Sequence, residues 1–157
     1  MVKIYDVVTD SELHPSLTEL LALNVDSNLM NKKQGLNDLF NALKLDCLDN
    51  ERVFLVSLDM YSRLMGVYLI GLGDYKGSKF YNRHIATVLL LSGARKFFVI
   101  HNHPDGALSL SEDDNTMVVV MMTLAKILEI EFMSSYVVTR DGYISNTMDK
   151  PIKFKRR

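Results

Sequence analysis

Lys96-Phe97-Phe98-Val99-Ile100-His101-Asn102-His103-Pro104-Asp105-Gly106 decides the fold, because it reads as one strand of an α/β sheet ending in two histidines and a turn. Residues 96–100 are apolar, rich in β-formers and preceded by Gly93, the pattern of a strand buried on both faces, as in a parallel sheet. Residues i and i+2 of an extended segment share a side, so His101 and His103 face one way and Asn102 the other. Pro104-Asp105-Gly106 then breaks the strand and turns the chain. Beyond the turn, Ser111 followed by Asp114 has the form of a capping box that opens the apolar segment 117–130 as a helix. A helix begun there carries Asp114 in its first turn, back beside the strand end. Two imidazoles and a carboxylate are the ligand set of an open zinc site, in which three protein ligands leave the fourth position to water. His101, His103 and Asp114 are the candidate ligands for Zn²⁺, and Asp114 can cap the helix and bind metal at once.

Outward from this stretch, the pattern alternates. Residues 53–58 and 64–72 read as an antiparallel hairpin around Met60-Tyr61-Ser62. Residues 74–78, with Gly73 and Gly77, read as a loop, and 83–92 as a buried helix ended by Gly93. Downstream come the helix of about 111–128, a strand over 132–139, a turn at Arg140-Asp141-Gly142 and a short strand at Tyr143-Ile144. The order ββαβαββ implies an α/β fold, a mixed β-sheet sandwiched by helices.

The first part of the chain has a different texture. Leu13, Leu17, Leu20, Leu21 and Leu23, after the candidate cap Ser11, approximate one helical stripe, and Leu36, Leu39, Phe40 and Leu43 a second. A polar link, 24–35, separates them. The expectation is an N-terminal helical extension over 1–48, followed by a domain over 49–157. The two helices would pack on that domain or on a second subunit of a homo-oligomer. They offer no chemistry, and His14, before Pro15, reads as a surface residue.

The chain has 157 residues, enough to bury a core without disulfides. Hydrophobic residues make up 48% and charged residues 24%, with a net charge of −1, an ordinary globular balance that gives nucleic-acid binding no support. The basic tail Lys153, Lys155, Arg156, Arg157 reads as a solvated end. Cys47 is the only cysteine, which excludes an intrachain disulfide. The N-terminus does not read as a signal peptide, and the apolar runs 118–122 and 88–91 are far too short for a membrane span. The expected location is cytoplasmic, with no membrane partner.

His101-Asn102-His103-Pro104, Gly106, Ser111 and Asp114 resemble the signature of the JAMM (MPN or JAB) metalloprotease superfamily. The wording His-Asn-His-Pro resembles its bacterial RadC branch in particular. Glu51-Arg52-Val53-Phe54-Leu55-Val56-Ser57-Leu58-Asp59 looks like the segment that carries that family's upstream glutamate, which makes Glu51 the matching position. Arg83 resembles a recurrent arginine of the branch. The resemblance covers roughly residues 51–145. Asp105 and Leu110 stand where the branch usually has Ser and Pro, and Ser134-Ser135 where it usually has Asp-His. Residues 1–50 show no counterpart of the helix-hairpin-helix region common in the family.

The resemblance implies a JAB/MPN fold, similar to that of cytidine deaminases, and a zinc-dependent peptidase or isopeptidase acting on a protein or peptide. In that scheme the metal ligands are His101, His103 and Asp114. Glu51 carries the proton from water to the leaving amine, and Ser111 donates a hydrogen bond to the oxyanion. His84 is read as structural. Partners for the second nitrogens of the two histidines would come from Asp59, Ser92 or backbone carbonyls. A RadC-like DNA-processing or partner-binding module is the alternative. A zinc deaminase is set aside, since it needs a Cys-x-x-Cys pair that one cysteine cannot supply.

Overall fold

Along Arg52–Leu58, Phe54, Val56 and Leu58 alternate with Val53 and Leu55, and all five are buried, which requires apolar layers on both faces of this strand. In the computed structural model, which describes residues 1–29, 33–74, 77–79 and 81–154, both layers are present. The elements in chain order are β1 (Val2–Thr9), β2 (Pro15–Leu23), α1 (Lys33–Ala42), β3 (Arg52–Leu58), β4 (Leu64–Asp74), β5 (Gly77–Lys79), α2 (Asn82–Ser92), β6 (Lys96–Asn102), α3 (Glu112–Leu128), β7 (Glu131–Thr139), β8 (Gly142–Ser145) and β9 (Ile152–Lys153). The strands form one mixed sheet in the order β2-β1-β4-β3-β6-β7-β8-β9, with β5 on β4.

The two faces of the sheet divide the helices. Phe54, Val56 and Leu58 of β3, with Phe98 and Ile100 of β6, pack against Leu39 and Phe40 of α1. Val53, Leu55, Phe97 and Val99 point the other way, against Ile85, Val88 and Leu89 of α2 and Met117, Met121 and Ala125 of α3. The expected α/β sandwich is therefore observed. The strand that carries the histidines has neighbours of both kinds, since β6 runs antiparallel to β3 and parallel to β7. The connection from β6 to β7 passes through α3, as a parallel pair demands. α2 is buried along one side only; Leu90 and Leu91 on it are exposed.

The N-terminal helical extension expected over 1–48 is not what forms. Residues 15–23, read as a helix from their leucine spacing, are strand β2, paired antiparallel with β1, and β1 pairs in parallel with β4. Leu20 and Leu21 are both exposed, so the leucine stripe does not mark a buried helix face. The second expected helix is present as α1, packed on the sheet. The boundary placed at 48/49 falls in the connection between α1 and β3.

Two smaller differences accompany this one. The expected 74–78 loop is largely strand, since Leu72, Gly73 and Asp74 pair with Lys79, Ser78 and Gly77. β9 adds a last short strand on β8. Tyr75 and Lys76 in that loop, Lys155, Arg156 and Arg157 in the tail, and 30–32 in the polar link lie outside the described residues. No helix among the described residues is long and apolar enough to cross a membrane.

α1 contributes a large apolar side chain to the core. Phe40 is 2% exposed, and its ring centroid lies 5.2 Å from that of Tyr143 and 6.0 Å from that of Tyr136. Phe40→Ala is expected to cost about 3–5 kcal/mol of stability, read as a lowered urea midpoint. An unchanged midpoint would show that α1 is not part of the cooperative core.

Candidate metal centre

The buried residues of α3 are Asp114, Met117, Val118, Met121 and Ala125, a stripe at helical spacing that faces the sheet. Asp114 stands at the top of that stripe, and so aims a carboxylate at the sheet where its neighbours aim hydrocarbon. The start of α3 is fixed by the expected capping box. The Asp114 N–H donates to Ser111 Oγ at 3.1 Å, and the Ser111 N–H donates to Asp114 Oδ2 at 2.7 Å.

His101 follows the side of Phe97 and Val99 along β6, the α3 side, and is fully buried. His103 lies just past the strand end, where its N–H bonds to the Val138 carbonyl of β7. The chain then turns, with the Gly106 N–H donating to the His103 carbonyl at 3.1 Å. Pro104 and Asp105 sit at the centre of that turn, and Gly106 adopts φ +82°, a backbone state that glycine takes without strain. The Asp105 carboxylate accepts the Ala107 N–H at 3.0 Å, and the Ala107 carbonyl in turn accepts from His103 Nδ1 at 2.9 Å. That bond places the proton on Nδ1 and leaves the Nε2 lone pair facing inward.

Three ligand-capable groups converge as a result. His101 Nε2 lies 3.2 Å from His103 Nε2 and 2.7 Å from Asp114 Oδ1, and His103 Nε2 lies 3.4 Å from Asp114 Oδ2. A tetrahedral zinc with bonds of about 2.0–2.1 Å holds its ligand atoms about 3.3 Å apart; the two imidazole nitrogens, and His103 with Asp114 Oδ2, stand near that spacing, whereas His101 and Asp114 Oδ1 are closer, in direct hydrogen-bond contact. His101, His103 and Asp114 could hold a metal ion. The donor set, two imidazole nitrogens and a carboxylate, is chemically suited to zinc.

Charge in the cluster follows from its contacts. Burial alone would push the Asp114 carboxyl up, but hydrogen bonds from the two histidines, the charge of His101 and the Ser111 N–H hold it well below the usual carboxylate range. Burial likewise pushes the His103 imidazole down. Its bonds to Asp114 and the Ala107 carbonyl, with the charges of Asp114 and Glu51, outweigh that and leave it raised. Glu51 therefore stands near enough for its charge to act on His103. It is half-buried at the entry to β3 and continues the parity of Val53 and Leu55, on the side of His101.

Other expected roles resolve differently. Asp59 and Ser92 do not serve the histidines: Asp59 binds Arg63 within the β3–β4 turn at 2.6 Å, and Ser92 donates to the Leu89 carbonyl. His101 Nδ1 is buried without a hydrogen-bond partner among the described residues. His84 lies on α2, half-buried and outside the three-residue cluster, and Arg83 is exposed at the start of the same helix. His14 is exposed in the β1–β2 connection, as expected.

A cleft of about 420 Å³ opens beside His103. Its walls are the turn 104–106, the segment 45–49 after α1, and the β7–β8 turn 139–141. The sequence marks the turn after His103 but gives no signal for 45–49, most of which falls in the expected N-terminal extension. A backbone carbonyl is among the expected partners of the histidine nitrogens, and Ala107 supplies it, though no side-chain signal marks which carbonyl that would be; the contacts of Asn102 were missed, and its polar side chain in an apolar strand is the available clue.

A mixed sheet between helices, with a His-x-His pair at one strand end and Ser-x-x-Asp opening the next helix, defines a JAB-type domain. The model of the RadC-like JAB domain matches residues 30–150, and the chain belongs to that family. A UPF0758 protein of Chlorobaculum parvum is 23% identical over 120 residues, covering 75% of this chain and 54% of that protein. A UPF0758 protein of Thermotoga maritima is 26% identical over 98 residues, covering 62% and 44% respectively. The chain spans about half the length of the curated relatives it matches, and their names state no activity.

Proposed function

We propose that this protein is a zinc-dependent amide hydrolase that cleaves peptide or isopeptide bonds. The observation that supports this reading best is the convergence of His101 Nε2, His103 Nε2 and the Asp114 carboxylate, with the Glu51 charge alongside. His101, His103 and Asp114 would hold the ion. When bound, zinc supplies Lewis acidity, polarising a carbonyl and bringing the acidity of water to near neutral pH.

The remaining work falls to side chains of this chain. Glu51 takes a proton from the attacking water as its oxygen bonds to the carbonyl carbon, and delivers that proton to the amine nitrogen as the C–N bond breaks. Ser111 Oγ accepts from the Asp114 N–H, which leaves its own proton free to point at the carbonyl oxygen as negative charge develops there. The cleft beside His103 is the place for the chain on one side of the scissile bond. Among the described residues, Asp46, Asp49, Asp105 and Asp141 line it with Arg140, an acidic balance that favours a peptide over a phosphate backbone.

The test is direct. Protein purified without chelators should carry about one zinc per chain and cleave members of an internally quenched peptide library, lose that cleavage on dialysis against a chelator, and regain it with Zn²⁺. Cleavage that survives metal removal would sink the reading. So would a metal-loaded protein that cleaves nothing while shifting labelled DNA in a salt-dependent way, which is the result a DNA-processing module would give.

A further inference from the structure

Asn102 is the one residue of the 101–103 triplet that faces away from the metal cluster, and it is 1% exposed. A buried carboxamide must find partners for both of its ends. Its Oδ1 accepts from the Arg52 N–H at 2.8 Å, and its Nδ2 donates to the Asn50 carbonyl at 3.0 Å. Those two backbone groups lie immediately before and after Glu51. On the opposite edge, the Glu51 carbonyl accepts from the Gly73 N–H of β4 at 2.9 Å.

This geometry matters because of where the ladder stops. The backbone register of β3 with β6 runs from Leu58 opposite Lys96 to Val53 opposite His101 and does not extend to Arg52. Glu51 thus lies past the last rung, at the position where a strand end would fray. The Asn102 side chain supplies the next two bonds in place of backbone. One strand end therefore carries two metal-ligand candidates facing α3 and, between them, an amide that reaches across to hold the segment bearing the proposed proton carrier.

We propose that Asn102 is a positioning residue for Glu51: its carboxamide clamps the peptide groups on either side of Glu51 and so fixes where that carboxylate stands relative to His101, His103 and Asp114. The role assigned to Glu51 rests on the hydrolase reading above, whereas the clamp itself does not. Aspartate would keep the acceptor but turn the donor end into a charge against the Asn50 carbonyl. Alanine would remove both bonds.

The experiment uses the full chain, zinc-loaded, as wild type, Asn102→Ala and Asn102→Ser, the serine variant standing in if the alanine variant does not fold. Amide exchange at Arg52 should rise about tenfold or more, while the amides of Phe98 and Val99 in mid-strand keep their protection. Zinc content should stay at one per chain. On an internally quenched peptide that the wild type cleaves, kcat should fall about tenfold or more with KM within about twofold, and in a Glu51→Gln background the same change should cost less than about twofold. Unchanged exchange at Arg52 would overturn the clamp. An equal loss in both backgrounds would overturn the link to Glu51. If the zinc-loaded wild type cleaves nothing, the hydrolase reading fails, and the Arg52 exchange rates alone decide for or against the clamp.

Discussion

Asp114→Asn is expected to strip the metal from the protein while leaving α3 intact. The Asp114 carboxylate has two roles, each visible in a different oxygen. Oδ2 accepts the Ser111 N–H at 2.7 Å, and Oδ1 faces His101 Nε2 at 2.7 Å. Asparagine keeps one carbonyl oxygen, which the Ser111 N–H will recruit, and the Asp114 backbone N–H still reaches Ser111 Oγ. The amide nitrogen is then turned toward the imidazoles, where it offers a donor and no charge. Since changing a group that merely orients a ligand costs about 10–100-fold in metal affinity, losing the only anionic ligand should cost at least about 100-fold. The wild type should gain about 4 kcal/mol of stability at a free zinc concentration 1,000 times its Kd, and the Asn variant, at least about 100-fold weaker, should gain no more than about 1.4 kcal/mol under the same conditions. Asp114→Ala should behave likewise toward zinc and lose about 1 kcal/mol more, because the Ser111 N–H loses its acceptor while the Ser111 Oγ cap remains. Metal analysis after dialysis, with thermal melts in and out of zinc, reads all of this. An Asn variant that retains stoichiometric zinc would remove Asp114 from the ligand set.

Glu51→Gln should give the opposite pattern, full metal content with only a small residue of turnover. Glutamine has the shape of glutamate and leaves the backbone bonds to Gly73 and Asn102 in place, so the β3 entry should not move. What is lost is the ability to take up a proton, and removal of a positioned general base typically costs about 10²–10⁴ in rate. Single-turnover cleavage of an internally quenched peptide, measured at one zinc per chain, separates this from a binding defect. Near-normal rates would mean that another group carries the proton. Loss of zinc from the Gln variant would mean that Glu51 is a ligand and the cluster has been drawn one residue too small.

The parts of this molecule that could be read from the chain are those whose information is local. Ser111 and Asp114 lie three residues apart and bond to each other. Gly93 ends α2 with φ +64°, and the Pro104-Asp105-Gly106 turn closes on its own backbone. Histidines two apart on a strand share a face wherever that strand sits. The N-terminal hairpin was misread because its structure is imposed from elsewhere. Residues 15–23 hold four leucines with Glu19 and Ala22, good helix formers, yet they extend because β1 offers a ladder and β4 holds β1. A register shift between Ile4 and Tyr5 further blurs the alternation that marks a strand. The two-residue strand β9 is too short to carry any pattern. Asn102 escaped for the same reason as β2, since its partners lie about fifty positions upstream.

The reciprocal bonds between Ser111 and Asp114 have a consequence for how such a protein comes to maturity in a cell. They form from backbone and side chain alone, and the stripe Met117, Val118, Met121 and Ala125 seats the helix without help from any ion. Small zinc modules of the finger type stay unfolded until metal arrives, which ties their survival to supply. Here the placement of Asp114 follows from the fold itself. With zinc as the proposed ion, loading reduces to ligand binding on a formed scaffold, and the metal-free protein should melt cooperatively where a zinc finger would lie unfolded.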